Sequence, residues 1–426
     1  MSSNEHLLSV KISFDIYMKK PLLFTYIVIC IFLLYLPSLV GANGIRKNHF
    51  DFFTLDSHVD TPLMLSLPGF DINKKYNSQN VASSIDYERL KSGGLDSAFW
   101  VIYSPQGPLN RSSYAISLKN AKRRVGQLMQ MVSTNKDKFV LATSSRQLES
   151  LRDKKKHVVL MSIENAYPLG DDINNLDYFY KAGVRMLGIV HFSNNQFADS
   201  STDVEGEKWG GLSPSGIALV KKANALGMIV DASHASDKAT EQMIKISETP
   251  IILSHSGLKA VFDHPRNIDD SLLKKLAESG GAIQMNAYPS YLRQIDYPAE
   301  RVSALSAHYK AMYKREDNDK PMPFHEFSEG VKKIKKLYPV TEPAFQDFVK
   351  HLQHALKVVG PSHVGIGADW DGGGGVSGME DVSSIPKITS ELVNLGFSDK
   401  EIQSIWSDNV IRIFKEVEQF SRKSIP

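Results

Sequence analysis

Seven residues able to hold a metal ion or move a proton recur at one kind of place in this 426-residue sequence: the ends of short apolar runs that read as β-strands. His58 and Asp60 stand in Asp56-Ser57-His58-Val59-Asp60, and Glu164 closes Met161-Ser162-Ile163-Glu164. His191 ends the run from Val184, His234 follows Met228–Ala232, His255 closes Ile252-Leu253-Ser254-His255, and Asp369 closes Gly365-Ile366-Gly367-Ala368-Asp369. A spacing of two points His58 and Asp60 the same way on an extended chain, so both reach one ion. One such histidine alone reads as a hydrogen-bonded structural residue. Six strand ends in agreement ask for a shared cause. Carboxylates and neutral imidazoles gathered without a cation in the same motifs repel and desolvate badly. A metal centre removes that cost, and the absence of sulfur ligands limits the choice to ions that accept nitrogen and oxygen.

Such a centre needs a scaffold that brings strand ends together. Short apolar runs alternate with longer amphipathic stretches along the chain, the pattern of βα units. Eight strands are predicted: Phe52–Ser57, Ser97–Tyr103, His157–Ile163, Val184–Val190, Met228–Ala232, Pro250–Ser254, Ala282–Asn286 and His363–Ala368. Their apolar character suits parallel strands covered on both faces. The expected fold is an α/β chain, a (β/α)8 TIM-type barrel whose strand ends ring a single mouth. Phe345, Phe348, Val349, Leu352, Leu356 and Val359 mark one apolar face of a helix between strands. The stretch Ala287–Pro343 is longer than a crossover needs and reads as an insertion after the seventh strand, beside the mouth. Trp100 and Tyr103 end the second strand; either they line the pocket or they pack in the core. His49, His264, His308, His325, His351 and His354 fall in helices or loops and read as structural. His157 and His363 begin strands and belong to the opposite face of the barrel.

Composition restricts the partners. Hydrophobic residues make up 42% and charged residues 23%, ordinary for a chain with a large core, and the formal net charge is +3. The basic runs Lys154–Lys156 and Lys332–Lys336 lack interleaved aromatics and read as solvated faces, with no nucleic-acid partner expected. The apolar stretch Pro21–Val40 follows Lys19-Lys20 and precedes Gly41-Ala42. That is the grammar of a signal peptide over residues 1–42, with translation starting at Met18; the alternative is one uncleaved membrane anchor. Both place residues 43–426, read as one domain, outside the cytoplasm, in a periplasmic or extracellular space. Cys30 is the one cysteine and lies in this segment, so a homodimer would form without a disulfide.

The motifs "DSHVDTP", "SIENAYPLG", "GVRMLGIVHFSNNQFADS", "VDASHAS", "PIILSHSGLKAVFDHPRNIDD", "HVGIGADWDG" and "SDNVIRIF" resemble the membrane (renal) dipeptidase family of zinc peptidases, in order and in spacing, from about Phe53 to Glu418. The resemblance implies two zinc ions per chain, other divalent ions being alternatives. His58 and Asp60 would bind the first, Glu164 would bridge, and His234 and His255 would hold the second. It also implies that His191 polarises the scissile carbonyl, that Arg266 in "HPRN" grips a substrate carboxylate, and that Asp369 shuttles the proton. The activity implied is cleavage of small dipeptides, including those with a C-terminal D residue. A rival within the same fold is hydrolysis of a lactam, lactone or N-acyl amino acid. A rival of another class is a catalytically silent binding protein, which would be expected to have lost some of these residues. Tyr103 is carried as a substrate-binding candidate. The 287–343 stretch exceeds the vertebrate pattern and puts the substrate range in question.

Overall fold

The computed structural model describes residues 47–77, 81–153 and 155–424. The expected signal peptide or anchor lies outside them. Ten strands form one parallel sheet: β1 Leu55–Val59, β2 Ser97–Tyr103, β3 Phe139–Leu141, β4 His157–Glu164, β5 Val184–Gly188, β6 Ile229–Asp231, β7 Ile252–Leu258, β8 Asn267–Ile268, β9 Ala282–Met285 and β10 Val364–Ile366. Eight of them run in the order β1-β2-β4-β5-β6-β7-β9-β10. A parallel bridge from Val59 to Trp370 and the Asp60 amide donating to the Trp370 carbonyl at 2.7 Å bring the last strand back to the first. The fold is thus the (β/α)8 barrel that the sequence predicts.

Two short strands escaped that reading. β3 pairs with residues 157–159 of β4, below the point where β5 takes over at residues 161–163. β8 pairs with the far end of β7 at Gly257 and Leu258. Each is too short to carry a periodic signal. Strand ends were also misjudged. His58 lies inside β1 and His255 inside β7, while His191 and Asp369 lie three residues beyond β5 and β10. The cause is irregular pairing: the register shifts between Asp56 and Val59, between Leu253 and Ser256, and between Met161 and Ser162. Irregularities of this kind turn side chains off the regular alternation and concentrate at barrel rims.

Alternation elsewhere is regular and explains the packing. Along β4, Val159, Met161 and Ile163 face the helices in the main apolar cluster. Val158 and Leu160 join Phe99, Met186, Ile229 and Ile252 in a second cluster closed by Val410, Phe414 and Val417 of the C-terminal helix Asn409–Ser424. That plug fills the bottom, so the polar ends of the strands are open only at the opposite mouth. Local chemistry sets the helices. The helix Pro214–Leu226 starts on a Ser213 side-chain cap with proline in its first turn and stops at Gly227, whose φ of +78° suits a left-handed C-cap.

The long stretch after β9 is mostly helical: Pro289–Leu292, Ala299–Asp317 and Phe324–Leu337. Met312, Met322, Phe324, Phe327 and Val331 pack with Leu63, Met64 and Leu67, which follow β1. The polar run Lys314–Pro323 is the last turn of one helix and the link to the next.

Two of the buried histidines remote from the mouth, His157 and His351, are neutral rings with both nitrogens used. His157 Nε2 accepts from Trp100 Nε1 at 3.0 Å while its Nδ1 donates to the Leu95 carbonyl at 2.9 Å. Trp100 is therefore core, the second of its two readings. His351 has the opposite tautomer, accepting the Leu258 amide on Nδ1 at 3.0 Å and donating from Nε2 to the Leu292 carbonyl at 3.1 Å. Burial pushes each ring from 6.5 down to about 4. The unfolded chain therefore takes up these protons first. Stability from the pair is full above pH 6.5 and is lost as pH falls towards 4, at up to roughly 1.4 kcal/mol per pH unit for each ring. Guanidinium unfolding in excess chelator should show the wild type losing more stability between about pH 7 and pH 5 than His157→Gln or His351→Gln; equal losses would refute the neutral-ring assignment.

Candidate active site

All seven candidates meet at the mouth. Glu164, the last residue of β4, is the hub: its Oε1 lies 3.5 Å from His58 Nε2, 3.6 Å from His191 Nε2, 3.1 Å from His234 Nε2 and 3.4 Å from His255 Nε2. His58 Nε2 is 3.4 Å from Asp60 Oδ2. His58, Asp60 and Asp369 form one ligand-capable group, His58, Glu164 and His255 a second, and Glu164, His191 and His234 a third. Six of the seven are buried, and His191 is half-buried at the rim.

The backbone is bent to achieve this. His234 and Asp369 have φ of +68° and +65°, as do their neighbours at the mouth, Asn165 at +69° and Asp371 at +67°. Among the described residues, Asp319 is the one other non-glycine with positive φ. Left-handed backbone costs about 1 kcal/mol or more for each such residue and persists where the surroundings enforce it.

Beneath the ligand-capable atoms lies a layer of supporting groups that sequence reasoning missed. Ser254 Oγ donates to Asp231 Oδ2 at 2.5 Å, leaving its lone pairs to face His255 Nδ1 at 2.9 Å and His58 Nδ1 at 3.3 Å. The hydroxyl has one proton, so both rings carry a proton on Nδ1, which leaves Nε2 of each as the atom that a cation would take. Asp231 also accepts the amides of Ser233 and Ser254, each at 2.9 Å. Asp56 accepts the amides of His58 at 2.9 Å and of Ala368 at 3.1 Å, tying the first strand to the last. Burial raises its pKa to about 7 against the pull of those amides. The signal was present: Asp56 and Asp231 are carboxylates within the span of buried strands.

The electrostatics are those of a site lacking its counter-charge. Burial opposes a charged His58, but Glu164 and Asp60 outweigh it and hold its pKa well above 6.5. Burial, and then the Arg266 charge, lower His234 well below that value and take His191 down to about 3. Burial and the neighbouring Asp60 raise Asp369 well above the usual carboxylate range. His234 Nε2 and His255 Nε2 approach to 2.8 Å, and His58 Nε2 is buried with no hydrogen-bond partner. Nitrogen lone pairs aimed at one another and at carboxylates are a donor set for cations, and they fit the divalent ions expected from the sequence.

Arg266 and Tyr103 sit on opposite sides of this pit. Arg266 donates from Nη2 to the His255 carbonyl at 3.0 Å and stands 5.2 Å over the Tyr291 ring. It is buried, its Nε has no partner, and no carboxylate among the described residues pairs with it. Tyr103 ends β2 with its ring 4.8 Å from that of His191.

Fold and pit together define a (β/α)8 barrel with a cluster of metal-capable side chains at its mouth. Residues 44–425 match the model of the membrane dipeptidase family, peptidase family M19, and the chain belongs to that family of metallodipeptidases. It is 28% identical to dipeptidase verJ of Clonostachys rogersoniana over 345 residues, 79% of this chain and 77% of that one. It is 29% identical to an uncharacterized dipeptidase of Schizosaccharomyces pombe over 390 residues, 88% of this chain and 83% of the relative. Among solved structures, the probable dipeptidase PvdM of Pseudomonas aeruginosa is 30% identical, with a TM-score of 0.72 over 87% of this chain and 96% of that one.

The pit leaves no room at Gly372, where an added Cβ would land on Asp369 Oδ1 and Asp60 Oδ2. Gly372→Ala should therefore fold, by circular dichroism, yet retain less metal per chain after dialysis than the wild type, by elemental analysis. Equal metal content would show that Asp60 and Asp369 are not part of a metal cradle.

Proposed function

We propose that this chain is an exported dipeptidase that holds two zinc ions on His58, Asp60, Glu164, His234 and His255 and hydrolyses the peptide bond of small dipeptides. The observation that carries the reading is the convergence of His58, His234 and His255 on Glu164, with Asp60 against His58 and the Nε2 atoms of the rings turned inward. Bound zinc would supply Lewis acidity and a water acidified towards neutral pH.

The chain's own groups account for the rest. Arg266, buried with no carboxylate partner among the described residues, offers a guanidinium fork to the free C-terminal carboxylate, and this selects dipeptides over longer peptides. A grip on the carboxylate does not read the configuration of the adjacent carbon, so dipeptides ending in a D residue fall within the reading. His191, kept neutral by burial and by Arg266, donates an N–H to the carbonyl oxygen as charge develops there. Asp369, next to Asp60, takes a proton from the attacking water and delivers it to the departing amine nitrogen. Water thus adds its hydroxyl to the carbonyl carbon and its hydrogen to nitrogen as the C–N bond breaks.

Export is supported by Lys19-Lys20, the apolar Pro21–Val40 and Gly41-Ala42, and by a sequence whose one cysteine lies in that segment. Among the described residues no helix is long and apolar enough to cross a membrane.

Protein beginning at Asn43 should cleave a panel of dipeptides, including one with a C-terminal D residue. It should lose the activity to a chelator and regain it with about two equivalents of zinc. Arg266→Met should lower kcat/KM for dipeptides by on the order of a hundredfold, while a carboxylate-free amide is spared. Metal-loaded protein inert towards every dipeptide but active on a lactam or N-acyl amino acid would replace the proposed reaction with another amide hydrolysis.

A further inference from the structure

The helix Ala299–Asp317 carries Tyr309 and Tyr313 one turn apart on one face, both half-buried. The Tyr313 ring meets Tyr103 edge-on, with centroids 6.3 Å apart, and Tyr103 in turn lies against His191. Tyr309 packs on Phe327 at 5.3 Å, and the charges of Asp371 and Asp60 act on its hydroxyl. A row of rings therefore runs from this helix, through the end of β2, to the rim of the pit.

The helix is clamped in that position. Arg124, fully buried in the helix Arg111–Thr134, donates from Nη2 to both oxygens of Glu316 at 2.9 and 3.0 Å. Its Nη1 donates to the carbonyl of Tyr103. One guanidinium thus ties the tyrosine at the end of β2 to the end of the helix bearing Tyr313. Arg123 adds a contact to Glu316 at 3.0 Å, and Lys119 one to Asp319 at 2.9 Å. Breaking one partner of a buried pair leaves the other desolvated and uncompensated, so the clamp holds one geometry.

Position round the barrel says what this wall faces. In the strand order β2 is second and β7 sixth, directly across a ring of eight. Arg266 is bonded to β7 through the His255 carbonyl. A dipeptide with its carboxylate on Arg266 and its peptide carbonyl over the Glu164 hub extends its amino-terminal residue towards β2. We propose, on the dipeptidase reading above, that Tyr103, Tyr309 and Tyr313 form the wall that receives the amino-terminal side chain. The favoured substrates are then dipeptides with a large apolar or aromatic first residue, and Arg124 and Glu316 are positioning residues for that wall. Aromatic faces stabilise such side chains both by apolar contact and by ring-on-ring geometry.

The test compares kcat/KM for Phe-Ala and Gly-Ala, and for Ala-Phe and Ala-Gly, in the full zinc-loaded chain. The wild type should favour Phe-Ala over Gly-Ala by about tenfold or more. Tyr313→Ala should erase most of that preference through KM, as should Tyr309→Ala, while Tyr313→Phe keeps it and the Ala-Phe to Ala-Gly ratio hardly moves. Glu316→Gln should erode the same preference and Glu316→Asp restore part of it, a pattern that general loss of stability would not give. If Tyr313→Ala does not fold, the Tyr309→Ala ratio decides. A wild type that cleaves both dipeptides equally well, or alanine variants that keep the wild-type ratio, would overturn the wall alone. A wild type that cleaves neither would overturn the dipeptidase reading and the wall with it.

Discussion

The mouth of this barrel gathers atoms that repel one another. Glu164 Oε1 lies within 3.6 Å of four imidazole nitrogens, two of those nitrogens stand 2.8 Å apart, and Asp60 and Asp369 add further carboxylates to the same buried space. Left alone, the cluster must protonate some members and desolvate the rest, and the opposite displacements of His58 and His234 are that conflict made visible. A divalent cation resolves it by replacing lone-pair repulsion with coordination. The remaining architecture serves to hold these groups together before a cation arrives.

That holding is done in layers. The plug of Val410, Phe414 and Val417 closes the bottom of the barrel, so buried polar strand ends have water on one side alone. Next come Asp56 and Asp231, which pin strand amides, and Ser254, whose single proton sets the tautomers of two histidines at once. Irregular pairing in β1 and β7, and left-handed backbone at His234 and Asp369, then aim the side chains. Backbone distortion at these points costs stability that the apolar layers below must offset, a distribution common where geometry is selected for chemistry.

Much of this was legible in the sequence, for definite reasons. Apolar β-rich runs mark parallel strands because both faces are covered, which is why all eight barrel strands were found while β3 and β8 were not. The seven candidates stood out because ionisable residues at apolar strand ends have few structural explanations. The exact ends were less accessible. A register shift such as that between Asp56 and Val59 depends on the neighbouring strand and leaves no local trace, so His58 was placed after its strand when it lies within it. Asp231 and Ser254 were overlooked for a different reason: they meet across 23 residues of sequence, and the contact that sets the histidine tautomers forms once the two strands pair.

The stretch 287–343 shows where reading from local pattern reaches its limit. Its length marked it as an insertion beside the mouth, and the link Asp317–Lys320 between its two long helices is polar and exposed. Its inner face is another matter, because Met312 and Phe327 are buried against residues that follow β1, and Glu316 reaches a fully buried Arg124 some 192 residues earlier. A buried ion pair of this kind is seldom worth more to stability than an apolar replacement, but it fixes register, since the charges are satisfied in one arrangement alone. Here the register it fixes is that of two tyrosines relative to a third at the end of β2. The barrel thus gathers the metal-capable side chains, and the helices after β9 border Tyr103 beside them. On the proposed reading, catalysis and selectivity fall to separate parts of one chain, joined through the carbonyl of Tyr103.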